Sequence, residues 1–547
     1  MNHFNTKQGC LFYDYALHVE QSAKIRDFLS LLDESGVAEI IEHEQQGSTT
    51  GRPEYPTLNM FACILYGFAM RSATLRELES SCRYDTRFMY IMDGMTPSYA
   101  SFSRYINGII KPRQDEIFQK VTKAILGHFG VDLSDCYMDG SKFEADANKY
   151  KFVWKPTKLH ENLSDKVRNL LVSMGIQRGI PSTGIIPSSM IAEKITEASS
   201  PVAERGTATT EKAWASMIRS LTLYLEKALD YEEKERICGP NRNSYYKTDR
   251  DATAMCLKQD YYSGLGSNMH AAYNVQFVIS AGFIATYYIS QDRNDIYTFV
   301  PTMERFRGMY GFLPARICAD SGYGYSNNYD YCERNGIKAF IKYPAWEGEC
   351  SGRRPALYEM DDDGNITCLG GRTGVVAEVP GRHHKVRGAL FYQVSNCLGC
   401  QFMPYCRQYM KESEGESRIF EINPVFQMQK QKARDLLLSV EGIEMRVNRS
   451  CQSEGGFGIV KQDLPYPRLR RTGLPQVGVE FMLTVLARNI RRFLKYSGKD
   501  LKLKYWTAPK GTETEKFRKP SAKRLSNRVT RQRKKSVNET ARDYKYK

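Results

Sequence analysis

The sequence predicts an α/β fold, with a mixed core that follows an all-helical N-terminal region and is interrupted by insertions. Three observations predict this class. The first 130 residues repeat apolar side chains at helical spacing. Two short apolar runs, 133–138 and 316–319, are each followed by a single aspartate, Asp139 or Asp320. Between these runs, two β-rich stretches separated by Ala281-Gly282 have the pattern of a hairpin.

The N-terminal residues 1–130 are predicted to form a helical DNA-binding domain. Apolar runs indicate helices over 58–70 and 75–82, and a third begins at Thr96-Pro97, where Thr96 suits an N-cap and Pro97 the first helical position. Two helices meeting at a turn would form a helix-turn-helix that presents polar side chains to DNA. These are Ser101, Ser103, Arg104 and Asn107. A plain helical packing domain fits the spacing equally well.

The following region, residues 131–496, is predicted to hold the mixed core. The chain stays extended to Trp154, and residues 155–238 are an insertion that includes a long amphipathic helix around Trp214. Strands are expected over 269–280 and 283–290, followed by a helix over 295–310. The strand that ends at Asp320, a short helix over 326–335 and a strand over 337–342 complete the order.

Three acidic residues stand out by their contexts. A carboxylate at the C-terminal end of a central strand lies where an open α/β sheet places its ligands, which favours Asp139 and Asp320. Glu454 lies seven residues before Lys461, nearly two helical turns, so both would share one helix face. Three converging carboxylates can hold two divalent metal ions for phosphodiester chemistry. A lone acid is ordinarily a solvated charge or a cap.

Further polar residues near the hairpin are candidates to support such a site. They are Asp249, Asp251, His270, Asn274, Gln276 and Asp295. Capping and turn roles explain each of them as well, because strand ends collect such residues for structural reasons.

A cysteine cluster, Cys368, Cys397, Cys400 and Cys406, indicates a structural Zn²⁺ site, since four thiolates match tetrahedral zinc and the Cys397–Cys400 gap is the knuckle spacing. Cys368 has no cysteine three residues away, and His383 or His384 is an alternative ligand. Buried reduced cysteines are the other interpretation. Either way, residues 349–435 are predicted to be an insertion before the helix that carries Glu454.

Net charge is concentrated at the C-terminus. The chain has 547 residues and a formal charge of +16, and residues 491–547 hold 20 Lys and Arg against 5 Asp and Glu. Residues 497–547 are therefore predicted to be a basic, disordered tail, either a phosphate-binding arm or a solubilising segment. No stretch approaches 18 uninterrupted apolar residues and no signal peptide is evident, so a cytoplasmic protein without a membrane partner is expected.

The order of elements matches a ribonuclease H-like fold, and the chain resembles the DDE transposases of bacterial insertion sequences, in the subgroup with an N-terminal helical domain and a cysteine cluster before the final glutamate. The motifs are Asp139-Gly-Ser-Lys-Phe-Glu-Ala-Asp-Ala-Asn-Lys-Tyr150, Asp320-Ser-Gly-Tyr-Gly324 and Arg449-Ser-Cys-Gln-Ser-Glu454, with Phe457-Gly458 and Lys461. The resemblance covers about residues 10–495.

The resemblance implies that Asp139, Asp320 and Glu454 bind catalytic Mg²⁺ or Mn²⁺ and that Lys461 and Arg449 contact DNA. It further implies element ends with inverted repeats, target DNA and a homodimer or larger assembly, nucleoid-associated when bound. Two departures concern Arg449. Four residues separate it from Glu454 where related transposases have three, and Val447 holds the position of their tyrosine.

Two other functions remain open from the sequence. A metal-dependent DNA nuclease of the same fold would use the same three acids without joining DNA. A catalytically silent DNA-binding regulator would use only the N-terminal helices, the cysteine cluster and the basic tail, although the intact acidic triad disfavours it.

Overall fold

A central six-stranded mixed sheet organises the protein. The computed structural model describes residues 19, 23–42, 54–71, 74–200, 210–257, 269–381, 383–406, 416–458, 468–499, 501, 505–517, 520–525 and 527, with backbone only at 23, 71 and 453–458. The strands of this sheet are β1 (Asp135–Glu144), β4 (Thr253–Cys256), β5 (Met269–Ser280), β6 (Phe283–Ser290), β7 (Arg316–Ala319) and β8 (Lys338–Ile341). The predicted mixed α/β class is confirmed.

The order across the sheet is β4-β5-β1-β7-β8, and β6 also pairs with β5. β5 is antiparallel to β1, β4 and β6, whereas β7 and β8 run parallel to β1 and to each other. Ala281 and Gly282 make the predicted β5–β6 hairpin turn, both at positive φ (54° and 75°). Glycine tolerates that backbone region without a steric penalty, which explains the sequence of the turn.

Helices of the N-terminal region share one continuous hydrophobic core with the sheet. They are α1 (Ala23–Glu34), α2 (Val37–Glu42), α3 (Thr57–Arg71), α4 (Leu75–Tyr84), α5 (Thr86–Ile91), α6 (Tyr99–Tyr105) and α7 (Gln114–His128), with a π-helical turn at Ile106–Ile110 and a 3-10 turn at Lys111–Arg113. The third predicted helix starts later than expected. Ser98, rather than Thr96, is the N-cap, because its hydroxyl accepts a hydrogen bond from the amide of Ser101 (3.3 Å).

The core helices around the sheet follow the predicted order. They are α11 (Phe299–Tyr310), α12 (Ser326–Arg334), α13 (Trp346–Cys350), α15 (Pro424–Leu438), α16 (Val440–Gly458) and α17 (Leu474–Tyr496), with 3-10 turns at Asp295–Tyr297 and Ser321–Tyr323. The helix predicted from residue 295 is thus a 3-10 turn followed by α11. α17 is buried along most of its length and packs on the N-terminal helices as well as on β6.

The first insertion has a hydrophobic cluster of its own. Its elements are β2 (Phe152–Trp154), α8 (Thr157–Ser173), α9 (Ser188–Ser199), α10 (Glu211–Cys238) and β3 (Ser244–Tyr246). β2 and β3 pair antiparallel and join the two ends of this segment. Trp214 lies in the cluster, and its indole N–H donates to the carbonyl of Ala198 (3.1 Å).

The cysteine-rich insertion is a small antiparallel sheet, also with its own cluster. Its elements are β9 (Tyr358–Met360), β10 (Ile366–Cys368), β11 (Thr373–Val376), β12 (Leu390–Val394), α14 (Met403–Cys406) and β13 (Arg418–Ile422), and the strand order is β13-β12-β11-β10-β9.

Part of the segment predicted as a disordered tail is placed against the core. Residues 505–517 contact α16, and Leu525 is buried with Phe402 and Tyr405 of the cysteine-rich insertion. The aromatic and aliphatic side chains in this otherwise charged segment explain the packing, since burial of apolar surface offsets the entropy of ordering. Residues 528–547 lie outside the described residues.

Within the described ranges no single helix is both long and apolar enough to cross a membrane, although Thr57–Met70 and Leu75–Tyr84, bent by 103° where they meet, satisfy length and composition as a pair.

Candidate active site

Asp139 and Asp320 lie side by side on neighbouring parallel strands. β1 and β7 pair through Met138 and Ala319, and each aspartate is the next residue along its strand. Asp320 follows the end of β7 as predicted. Asp139, however, lies in the middle of β1 rather than at its end, because β5 continues to pair with β1 as far as Glu144. The two carboxylates are therefore adjacent where the β1–β7 pairing stops.

Arg449 of α16 bridges the two carboxylates. Its NH1 lies 3.5 Å from Asp139 Oδ2 and its NH2 lies 3.7 Å from Asp320 Oδ1. The Arg449 side chain is 16% exposed, against 29% for Asp139 and 49% for Asp320. A planar guanidinium suits such a forked arrangement. The altered spacing from Glu454 therefore does not remove Arg449 from the acidic pair.

A buried polar network backs the strand beside Asp139. The hydroxyl of Tyr323 donates to Gln276 Oε1, Gln276 Nε2 donates to Asn274 Oδ1 (3.0 Å), and Asn274 Nδ2 donates to Asp295 Oδ1 (2.7 Å). Tyr323, Gln276 and Asn274 are buried. Burial, and then the negative charge of Asp295, raises the pKa of the Tyr323 hydroxyl, so Tyr323 acts as a neutral donor.

A glycine in each aspartate motif allows close packing, against the polar network for Gly140 and against the backbone after β8 for Gly324. A Cβ on Gly140 would lie 2.4 Å from Gln276 Oε1 and 2.8 Å from the Tyr323 hydroxyl. A Cβ on Gly324 would lie 2.1 Å from the backbone carbonyl of Lys342. Gly140 and Gly324 in the two aspartate motifs are thus required by packing.

Lys342 is a neighbour of Asp320 that the local sequence pattern does not reveal. It follows Ile341, which pairs with Ala319, so Lys342 stands beside Asp320 at the same sheet edge. Its Nζ forms an ion pair with Glu347 (2.8 Å). Only the β7–β8 pairing reveals this neighbour, because a lysine at the end of a strand has no distinctive local pattern.

Three of the predicted supporting residues have described contacts elsewhere. Asp249 accepts hydrogen bonds from the Tyr273 hydroxyl (2.9 and 3.0 Å), and Asp251 Oδ2 accepts one from the amide of Leu474 (2.7 Å) at the start of α17. His270 pairs with the buried Glu144 (3.3 Å). Asn274, Gln276 and Asp295 instead form the network described above.

The remaining predicted site residues are placed as follows. Glu454 belongs to α16, the helix of Arg449, but its side chain lies outside the described residues, as does all of Lys461. Arg104 is exposed on α6, where its NH2 contacts Ser101 Oγ (3.4 Å). The neighbouring Asn107 of the same predicted DNA-reading face accepts from Gln476 of α17 (2.9 Å).

The four cysteines line one cavity of about 20 Å³. A Cβ on Gly370 would lie 2.7 Å from Cys400 Sγ and 3.8 Å from Cys368 Sγ, and the amide of Arg372 donates to Cys368 Sγ (3.4 Å). Burial raises the pKa of the Cys406 thiol to about 11. Across the part of the chain that the structure describes, no group of three or more His, Cys, Asp or Glu side chains is arranged to hold a metal ion.

Comparison with protein families gives two matches, both to domains of transposases. Residues 374–494 match the family described as "Transposase DDE domain", and residues 14–108 match "Transposase domain (DUF772)". The first match includes α15, α16 and most of α17, with Arg449 and Glu454, whereas Asp139 and Asp320 lie outside both. Comparisons with curated proteins and with solved structures gave no match.

The two matches together support a DDE transposase of an insertion sequence. The transposase family implies DNA as the partner, and the DDE transposase domain implies an activity of the polynucleotidyl transferase type.

Proposed function

We propose that the protein is a transposase that binds the ends of an insertion sequence and catalyses metal-dependent DNA cleavage and strand transfer at Asp139, Asp320 and Glu454. One observation carries the proposal. Asp139 and Asp320 adjoin on parallel strands beneath Arg449, on the helix that also contains Glu454.

The strand topology supports a ribonuclease H-like core. An antiparallel β1–β5–β6 meander is extended by β7 and β8 parallel to β1, and helices α11 and α12 connect them. Parallel connections of this kind place the ends of β7 and β8 at one sheet edge. That edge carries Asp320 and Lys342, beside Asp139.

The acidic pair has the chemistry to hold Mg²⁺ or Mn²⁺, since both cations prefer hard carboxylate oxygens, and Glu454 would be the third ligand. Bound ions would activate the attacking water or 3′-hydroxyl and stabilise the leaving oxygen. Arg449 offsets part of the negative charge of Asp139 and Asp320. With a cation on these carboxylates, the Arg449 guanidinium would be able to donate two parallel hydrogen bonds to a DNA phosphate.

DNA would be held by basic residues. Lys461 and Arg449 are the proposed contacts near the scissile phosphate, and Arg104 on α6 is the proposed contact of the N-terminal helices. Two element ends must be brought together for transposition, so a dimer or larger assembly on DNA is expected. Inverted repeats flanking the coding sequence would distinguish a transposase from a nuclease.

The cysteine-rich insertion is proposed to hold a structural Zn²⁺ through Cys368, Cys397, Cys400 and Cys406. All four side chains line the same small cavity, and four soft sulfur donors suit a closed tetrahedral site. The thiols as described are not arranged as a ligand set, so zinc binding would have to draw them together. No coordination position on the zinc ion would remain open for a substrate. The ion would therefore stabilise the small sheet rather than take part in catalysis.

The decisive test replaces Asp320 by Asn, which keeps the shape of the side chain and removes its charge. The matched control is Asp435→Asn. Asp435 is 75% exposed on α15, and its ion pair is with the adjacent Arg434 (3.6 Å) rather than with a proposed site residue. Both variants and the wild type would be assayed for end binding by gel shift, and for Mg²⁺-dependent cleavage and joining with DNA that carries the flanking repeats.

We expect Asp320→Asn to lose cleavage and joining by at least about 10³-fold while end binding is retained, and Asp435→Asn to behave as the wild type. Cleavage that survives in Asp320→Asn would refute the proposed active site. Cleavage without joining in the wild type would favour the nuclease instead.

A further inference from the structure

The C-terminal segment 505–517 lies along α16 and is bonded to it. The amide of Trp506 donates to Asn448 Oδ1 (2.8 Å), and Asn448 Nδ2 donates back to the carbonyl of Trp506 (3.0 Å). The amide of Ala508 donates to Glu444 Oε1 (2.8 Å). Two helix side chains one turn apart therefore bind the backbone of the segment.

Further contacts hold the other end of the segment near the start of α16. Glu515 forms an ion pair with Arg446 (2.6 Å), and its amide donates to the carbonyl of Leu438 (2.9 Å). The ring of Phe517 packs at 5.5 Å from that of Trp346. The segment thus runs antiparallel to α16 over more than two helical turns.

The same helix contacts the sheet through a different face. The Tyr137 hydroxyl lies 3.8 Å from Met445 Sδ, and Arg449, one turn later, reaches Asp139 and Asp320. Glu444 and Asn448 each precede one of these residues, so the two faces differ by about 100° around the helix. α16 is therefore held between the sheet and the C-terminal segment.

We propose that Asn448 is a positioning residue, which fixes the rotation of α16 through the backbone of Trp506 and thereby holds Arg449 over the two aspartates. Asn448 is 5% exposed, and its amide is satisfied by both polar groups of one backbone residue. Rotation of α16 by one residue would break the hydrogen bonds between Asn448 and Trp506 and, at the same time, move Arg449 away from the two aspartates. The inference rests on the proposed function, since the site it serves is the transposase active site.

The test separates the backbone bond from the tryptophan side chain. Trp506→Pro removes the backbone N–H that donates a hydrogen bond to Asn448 Oδ1. Trp506→Ala keeps both the backbone N–H and the carbonyl, so it is the matched control. Asn448→Ala removes the partner, and the double variant Asn448→Ala/Trp506→Pro tests whether both act through one contact. Full-length proteins are compared for cleavage kcat, for the DNA concentration at half-saturation and for thermal stability.

We expect Asn448→Ala and Trp506→Pro each to lower kcat roughly tenfold, as the loss of one or two hydrogen bonds would, with half-saturating DNA unchanged. The double variant should match the single ones, and Trp506→Ala should match the wild type. An unchanged kcat in Asn448→Ala would overturn the positioning role of Asn448. It would leave the proposed active site untouched, because Asp320→Asn tests that site separately. Equal losses of kcat and end binding would also overturn it, because they indicate general destabilisation.

Hydrogen exchange of the α16 amides gives a second readout that needs no activity. Faster exchange over residues 440–452 in Trp506→Pro but not in Trp506→Ala supports the positioning role. Identical exchange in all variants contradicts it, even if the wild type fails to cleave DNA and the proposed function falls.

Discussion

Gly140 offers the sharpest test of how the site is packed. A Cβ at this position would lie 2.4 Å from Gln276 Oε1, 2.8 Å from Gln276 Nε2 and 2.8 Å from the Tyr323 hydroxyl. Gln276 and Tyr323 are almost fully buried and bonded to each other, so neither can withdraw freely. Gly140→Ala must therefore displace Gln276 and break that hydrogen bond.

The expected loss of stability is about 1–5 kcal/mol. Overpacking costs about 1–3 kcal/mol, and a buried polar group left without its partner costs about a further 1–3 kcal/mol. The lower backbone entropy of alanine offsets roughly 0.5–1 kcal/mol of this. Asp139 is the preceding residue, so cleavage activity should fall as well.

Urea unfolding followed by circular dichroism would measure the change. Gly308→Ala is the matched control, because Gly308 lies within α11 with no atom within 4 Å of a built Cβ, and alanine there should stabilise by about 0.5–1 kcal/mol. A Gly140→Ala protein as stable and as active as the wild type would refute the packing argument.

Three further predictions concern other parts of the molecule. Burial raises the pKa of Glu480 from 4.5 to about 8, so the folded state keeps a proton that the unfolded state releases. The free energy of unfolding should therefore fall as pH rises across this interval. In Glu480→Gln, the urea concentration at half-unfolding should depend less on pH between pH 5 and 8 than it does in the wild type. An open cavity of about 510 Å³ is lined by Arg353, Lys523 and Arg524. Changing all three to Gln should reduce the slope of log K for DNA binding against log salt concentration by roughly 2–3. An unchanged slope would exclude these residues as phosphate contacts. Cys400→Ser should lower bound zinc, measured by elemental analysis, from one equivalent to near zero, and zinc-free wild-type protein would contradict the site.

Local patterns determined much of the secondary structure. The turn at Ala281-Gly282 needs positive φ, and the apolar runs before Asp139 and Asp320 have the composition of buried strands, so the hairpin and both strands could be predicted. The adjacency of the two aspartates was also expected, since neighbouring parallel strands bring their ends together. The hairpin and the strands depend on residues close in sequence, whereas the adjacency of the two aspartates depends on β1 and β7 being neighbours in the sheet.

Strand pairing decided what the local pattern could not. Asp139 lies within β1 because the distant β5 continues the ladder past it, and Lys342 stands beside Asp320 because β8 pairs with β7. The network of Asn274, Gln276 and Asp295 similarly depends on which face of β5 meets Tyr323. Hydrogen bonding between segments far apart in the chain fixes these neighbours.

The sequence by itself determined the three acids as candidates, the helical and cysteine-rich insertions and the concentration of positive charge at the C-terminus. Only the tertiary structure decided that Arg449 bridges Asp139 and Asp320 despite its shifted spacing, and that residues 505–517 bind α16. The reason is physical. Residue type and periodicity specify helices, strands and charge, but the position of a side chain over a distant carboxylate is set by how whole elements pack.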